Sequence, residues 1–167
     1  ERHNLMAFEN MPSDLAVERL QRRGRKIARS VERILGAIRH SADIPVCDFL
    51  SETQSTSFQS VHTRVSEYYR RDRLFANDVR REVKRFVTQS RRYDAEARQM
   101  VLRTCPEVLD LYVLEEVSMY VHMFLSGYTV EVYPGQDLSL LRKIAERTYP
   151  EFPFDYSGRT HIGVKRG

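Results

Sequence analysis

The stretch 109–125, reading LDLYVLEEVSMYVHMFL, is the most apolar run of the chain, and it limits the possible folds more than any other. Pro106 stands where a first-turn proline opens a helix. Gly127 stands where a carboxy-terminal glycine closes one. Between them Leu109, Val113, Val117 and Tyr120 recur three or four residues apart, and Leu111, Leu114, Met119 and Met123 fill much of the remaining circumference. A helix apolar nearly all round is a buried helix. This one nevertheless carries Tyr112, Glu115 and Glu116. Tyr112 and Glu116 are four apart, so they project from one face about a turn from each other. A carboxylate on a buried helix must be paired, hydrogen-bonded or neutralised, because leaving it bare costs roughly several kcal/mol. Two readings stay open. In one, phenol and carboxylate form a pocket wall that holds a polar substrate group. In the other, a core tyrosine lies beside a glutamate at the helix edge that bridges to an arginine. Met119, one turn after Glu116, is either a pocket-lining residue or a core methionine.

The chain has 167 residues, enough for one domain with a real core, and its 41% apolar and 30% charged content suits a soluble globular protein. No apolar run reaches the length of a membrane span. Cys47 and Cys105 match no metal spacing and read as reduced thiols of a cytosolic protein. His3, His40, His62, His122 and His161 form no ligand pattern. The net charge is only +4, so its distribution matters more than its sum. No signal peptide is visible, and the first residue is Glu, which suggests a piece of a longer chain.

That distribution is uneven. Asn4–Phe8 reads as a short strand, and Asp14–Arg39 as one long helix with an apolar stripe of Leu15, Leu20, Ile27, Val31, Ile34, Leu35 and Ile38. The same helix holds eight cations, Arg19, Arg22, Arg23, Arg25, Lys26, Arg29, Arg33 and Arg39, against three acids. A solvated face normally mixes signs, so this one is a candidate polyanion footprint. Ile44–Phe49 reads as a strand and 51–57 as a polar loop. Phe58–Phe75 is predicted to be helical, with Val61, Val65, Tyr68 and Tyr69 inward. Asn77 is predicted to cap a next helix, Asp78–Arg103, with Val79, Val83, Phe86 and Val87 inward. A second basic region spans Arg70 to Arg92, but Asp72, Asp78 and Glu82 intersperse it, so it reads as solvated surface. Tyr128–Tyr133 alternates and is β-branched, a strand stopped by Pro134-Gly135. Asp137 is placed to cap a helix, Leu138–Arg147. A loop, Tyr149–Tyr156, and a last strand, Arg159–Lys165, come after it. Strands interleaved with helices predict a single α/β domain: a parallel sheet flanked by helices, with a helix-rich middle. In such sheets ligands bind beyond the carboxyl ends of strands, where Tyr133 and Pro134 would lie.

Three features together resemble the tRNA-dependent cyclodipeptide synthase family, in its subgroup whose strand ends in Tyr-Pro. They are Tyr-x-x-x-Glu at Tyr112 and Glu116, Tyr-Pro at Tyr133 and Pro134, and the basic helix upstream. The resemblance covers about residues 14–165. It implies a Rossmann-like sheet similar to the catalytic domains of class I tyrosyl- and tryptophanyl-tRNA synthetases, without their ATP signatures. It also implies transfer of aminoacyl groups from two charged tRNAs through a covalent acyl-enzyme, ending in a cyclic dipeptide. Tyr112 and Glu116 would anchor the substrate ammonium, with Glu116 also a proton shuttle. Tyr133 would assist proton transfer during cyclisation, with Met119 and Pro134 beside the substrate. Arg22, Arg25, Lys26, Arg29 and Arg33 would hold tRNA. The aminoacyl ester is already activated, so a nucleophile, orientation and a proton path suffice, with no metal, ATP or other cofactor. The family's nucleophilic serine sits in an early Gly-x-Ser turn, and no Gly-x-Ser occurs here. The expectation is that the segment carrying it precedes this chain.

Two rivals come from other classes. One is a non-catalytic RNA- or tRNA-binding module in which Tyr112 and Glu116 are structural. The other is a helical DNA-binding regulator, which no helix-turn-helix spacing supports, so DNA is not expected as a partner. The other expectations are no membrane partner and a cytoplasmic location.

Overall fold

The computed structural model describes residues 52–89, 95–104, 106–133 and 138–163, together with Leu15, Glu18, Arg19, Gln21, Arg22, Arg25, Lys26 and Arg29. The chain divides into two compact units, 1–52 and 53–167. In the first, the eight described residues from Leu15 to Arg29 are all helical and exposed. Leu15, expected in the apolar stripe, is therefore on the surface. The predicted strands Asn4–Phe8 and Ile44–Phe49 lie outside the described residues, as do Arg33, Cys47 and Cys105.

The second unit runs α1 (Thr56–Arg71), α2 (Arg73–Gln89), α3 (Ala95–Thr104), α4 (Pro106–Leu125), β1 (Val130–Tyr133), α5 (Ser139–Ala145) and β2 (Thr160–Gly163). It is mostly helical. The two strands are four residues each and pair in parallel, Val130 opposite Thr160 and Tyr133 opposite Gly163. This overturns the expected Rossmann-like sheet flanked by helices. Among the described residues that pair is the whole of the β structure, and the core is built by helices packing on helices. Sequence alternation identified the two segments as extended. It could not reveal how many strands would join them, because pairing partners are a long-range property.

The helical core follows the apolar stripes. On α1 Phe58, Val61, Val65 and Tyr68 are buried, and on α2 Phe75, Val79, Val83 and Val87. Each such side chain contributes about 1.5–3 kcal/mol relative to leaving it in water. Both stripes pack on α4, where Leu109, Val113, Leu114, Val117, Met119 and Val121 are buried. The segment 149–156, read from sequence as a loop, adds a cluster of rings. Phe75 meets Tyr149 edge-on at 5.2 Å and Phe152 at 5.6 Å, and Tyr68 meets Phe152 at 5.5 Å. Arg64 lies 4.4 Å over the ring of Phe154 and donates to the Pro153 carbonyl at 2.9 Å.

One predicted boundary is wrong for an instructive reason. The helix expected over Phe58–Phe75 stops at Arg71, and the next starts at Arg73 rather than after Asn77. Asp72 makes the break. Its backbone N–H donates to the Tyr68 carbonyl and closes α1. Its Oδ1 accepts from the Phe75 N–H at 2.7 Å and so caps α2, while Oδ2 accepts from the Tyr68 hydroxyl at 2.9 Å. Asn77 is an exposed residue inside α2. The helix expected over Asp78–Arg103 is likewise two, α2 and α3.

The ends of α4 agree with expectation. Pro106 opens it, and Gly127, at φ +96°, closes it. The Tyr128 N–H donates to the Met123 carbonyl and the Gly127 N–H to the Phe124 carbonyl, the bonding of a glycine-terminated helix. A side chain at Gly127 meets no atom, so only its backbone conformation resists substitution. Gly127→Ala should therefore cost about 1 kcal/mol. Denaturant unfolding should show a lower midpoint with an unchanged slope.

Candidate functional site

Tyr112 and Glu116 lie one turn apart on α4, and both are half-buried. One side of the helix, with Leu109, Val113, Leu114 and Val117, is buried in the core, Glu115 and Tyr120 are half-buried like the two candidates, and its exposed large apolar residues are Leu111 and Leu125. The two candidates thus sit along the edge of the core rather than inside it. The Tyr112 ring packs on Phe86 of α2, centroids 5.6 Å apart and tilted by 38°. Phe86 itself is 43% exposed, not inward as its spacing implied. Met119 is buried in the core, a packing position rather than an open pocket wall. Tyr133 is the last residue of β1, facing Gly163 in the register; its side chain and Pro134 lie outside the described residues. Structure therefore brings Tyr112 and Glu116 together along one edge, and places Met119 in the interior of the same helix.

The basic candidates are in the other unit. Arg22, Arg25, Lys26 and Arg29 are helical and exposed. Arg22 pairs with Glu18 at 2.9 Å, both side chains well solvated, so that bridge is worth little.

A serine and a histidine also meet in the core, though not as a catalytic pair. Ser118 is fully buried on α4 and donates its hydroxyl to the Leu114 carbonyl at 2.6 Å. Its proton is thereby used, so the 3.1 Å contact with His62 Nδ1 requires the histidine to donate. Burial pushes the His62 pKa down and the charge of Glu115 offsets this only in part, so the ring is neutral at pH 7. The geometry orients His62 toward a hydroxyl that has no proton to give it. Ser118 is a structural anchor between α1 and α4, not a nucleophile.

The largest departure from sequence reading is on α2. Asp78 and Glu82, taken as solvated acids, are 3% and 4% exposed. Asp78 Oδ2 accepts from Tyr149 Oη at 2.7 Å and Lys143 Nζ at 2.9 Å, and Oδ1 from Arg81 at 2.8 Å. Glu82 pairs with Arg85 at 2.7 Å and accepts from the Ser139 hydroxyl and, at 3.2 Å, from the Leu140 N–H. Glu82 thus caps α5, whose own cap residue Leu138 makes no side-chain bond. Asp137, the expected cap, lies outside the described residues. A signal for this existed. Phe75, Asp78, Val79, Glu82 and Val83 share one helical face, so the two acids flank a buried stripe.

On α4 a related contact holds Asp110, which accepts from the Tyr69 hydroxyl at 2.6 Å. Burial raises the Asp110 pKa despite that bond and the neighbouring Arg80. Among the described residues no group of His, Cys, Asp and Glu could hold a metal ion, and no helix is long and apolar enough to cross a membrane. Compared with known proteins, the sequence matches no family model and no curated relative.

Burial opposes the charge on Asp78, but the bonds from Lys143 and Tyr149 and the charges of Lys143 and Arg81 outweigh it, and the pKa falls below its ordinary value. A folded-state pKa below the unfolded one stabilises the fold above the unfolded value, about 3.9, and that contribution is lost as pH falls through the folded one. Stability should therefore be flat with respect to Asp78 near pH 7 and decline below about pH 4. Asp78→Asn should cost about 2–3 kcal/mol at pH 7 and remove part of that acid decline. Denaturant unfolding from pH 3 to pH 7, roughly the range on either side of the carboxylate pKa, measures both.

Proposed function

We propose that the chain takes part in aminoacyl transfer from charged tRNAs to form a cyclic dipeptide. The observation that carries this reading is the placement of Tyr112 and Glu116, one turn apart on the half-buried edge of a helix whose other side, from Leu109 to Val121, is buried in the core. A carboxylate kept at that edge meets both needs of the reaction. It holds an ammonium group by a charge-assisted bond, and it accepts the proton the amine must lose before attacking an ester carbonyl. The phenol one turn away supplies a second polar contact. The apolar surroundings strengthen both interactions by lowering the local dielectric. The tRNA 3′ ester needs no further activation, so orientation and proton transfer are what the protein must supply.

In this reading the exposed cations of the amino-terminal helix contact the tRNA backbone. Such contacts carry little sequence information, which suits a protein accepting more than one tRNA. The nucleophile of a covalent intermediate is not assigned to any serine here, and Ser118 is unsuited to it.

Glu116→Gln should lower cyclic-dipeptide formation from two aminoacyl-tRNAs by about a hundredfold or more, with the unfolding midpoint nearly unchanged because the site is only half-buried. Mass spectrometry of the product measures it. An unchanged rate removes the ammonium-anchoring and proton-transfer roles. Replacing Arg25, Lys26 and Arg29 together with Gln should weaken tRNA binding and flatten the dependence of log K on log salt by about two to three units. If affinity and slope both stay at the parent's values, that helix is a solvated surface and has no part in tRNA binding.

A further inference from the structure

The cations of α1 and α2 separate into two sets. One set is engaged by other residues of the fold. Arg64 is held by Pro153 and Phe154, Arg80 lies 3.9 Å from Asp110, and Arg81 and Arg85 serve the buried carboxylates of Asp78 and Glu82. The other set is the exposed Lys84 of α2 and a cluster of three, Arg70, Arg71 and Arg73, within the four residues at the corner between the helices. All three arginines are exposed, and none makes a hydrogen bond or ion pair among the described residues.

The acids beside this corner do not cancel it. The carboxylate of Asp72 is used by the Phe75 N–H and the Tyr68 hydroxyl, and it is half-buried. Glu67, one turn earlier on α1, and Glu151, whose charge reaches Tyr68 beside the corner, are both exposed and make no bond to the arginines. The backbone beneath the corner is firmly held. Asp72 closes α1 and caps α2, and the rings of Tyr68 and Phe75 pack on each other at 5.3 Å directly on either side of it. Three guanidinium groups are thus presented from a rigid bend. Their planar donor forks match phosphate oxygens, and holding the backbone rigid reduces the ordering cost of binding. A structural role exists for two of them, since Arg70 and Arg71 sit in the last turn of α1, where a cation offsets the helix dipole. Arg73 is in the first turn of α2, where a cation opposes the dipole, so helix stability does not account for it.

We propose that this corner is a second RNA-phosphate surface, separate from the amino-terminal helix. The proposal rests on the reading that the chain binds tRNA, and it assigns part of that contact to the 53–167 unit. Lipid headgroups offer the same phosphate oxygens, but Leu74 is the one large apolar side chain exposed in the segment 70–75, too little apolar surface to seat a bilayer, so RNA is favoured over an anionic membrane.

The test is a fluorescence-anisotropy titration of the full chain with an uncharged tRNA transcript over a series of KCl concentrations. Phosphatidylserine-containing vesicles serve as the competing polyanion. Changing Arg70, Arg71 and Arg73 together to Gln should weaken tRNA binding about tenfold or more at low salt and flatten the salt slope by about two to three units. The matching triple Lys variant, which keeps the charge, should retain most of the slope. If the Gln triple is poorly folded by circular dichroism, Arg73→Gln alone should still reduce the slope by about one unit. An unchanged affinity and slope in a folded Gln variant overturns the proposal. So does a loss confined to vesicle binding, which would make the corner a membrane contact. If the parent binds tRNA and responds only to changes in the amino-terminal helix, this inference fails while the tRNA reading stands. If the parent binds no tRNA at all, both fall.

Discussion

The 53–167 unit depends on the need to cover α4. A twenty-residue helix with apolar side chains around most of its circumference must be wrapped on several sides, because each uncovered leucine or valine forfeits about 1.5–3 kcal/mol. The amphipathic helices α1 and α2 supply that cover from two sides. Ser118 and His62 show how closely α1 is fitted. A fully buried hydroxyl is satisfied by its own helix and by a neutral histidine, so neither that hydroxyl nor the histidine Nδ1 is left bare at the contact.

Covering α4 fixes α2, and α2 in turn fixes the elements that come later in the chain. Two buried carboxylates would be a serious cost to α2 if they were alone. They are offset because Lys143, Tyr149, Ser139 and the first turn of α5 come to them. The short helix α5 lacks a side-chain cap of its own and takes one from Glu82, fifty-seven residues away from Ser139. Local helix chemistry and long-range packing are here the same interaction, and one carboxylate both pairs with Arg85 and caps the amino terminus of a distant helix.

The edge of α4 is where this core stops being closed. Tyr112 and Glu116 lie there because the stripe of four-residue steps that carries them turns away from the deepest contacts. That position leaves both polar groups partly open to solvent while a packed helix holds them. The same economy is seen in the arginines. Arg64, Arg80, Arg81 and Arg85 are engaged by partners of the fold, and those at the Asp72 bend make no such bond among the described residues.

How much of this was legible depended on the range of the interaction. The limits of α4, from Pro106 to Gly127, and the inward residues Val61, Val65, Val79, Val83 and Val87 were determined by the sequence, because proline, glycine and helical periodicity act within a few residues. So was the four-residue spacing of Tyr112 and Glu116. Tertiary structure decided the rest. Asp78 and Glu82 looked like solvent acids because their partners, Lys143, Tyr149 and Ser139, lie more than fifty residues on. Phe86 shared the spacing of a core residue yet lies at the surface beside Tyr112, since which side of a stripe is covered depends on the neighbour. Two segments with strand character formed only one short parallel pair, because alternation specifies an extended backbone but not the number of strands available to join it. Asp72, flanked by two arginines, became the bend between α1 and α2 only because the Tyr68 hydroxyl and the Phe75 N–H were both brought to its carboxylate.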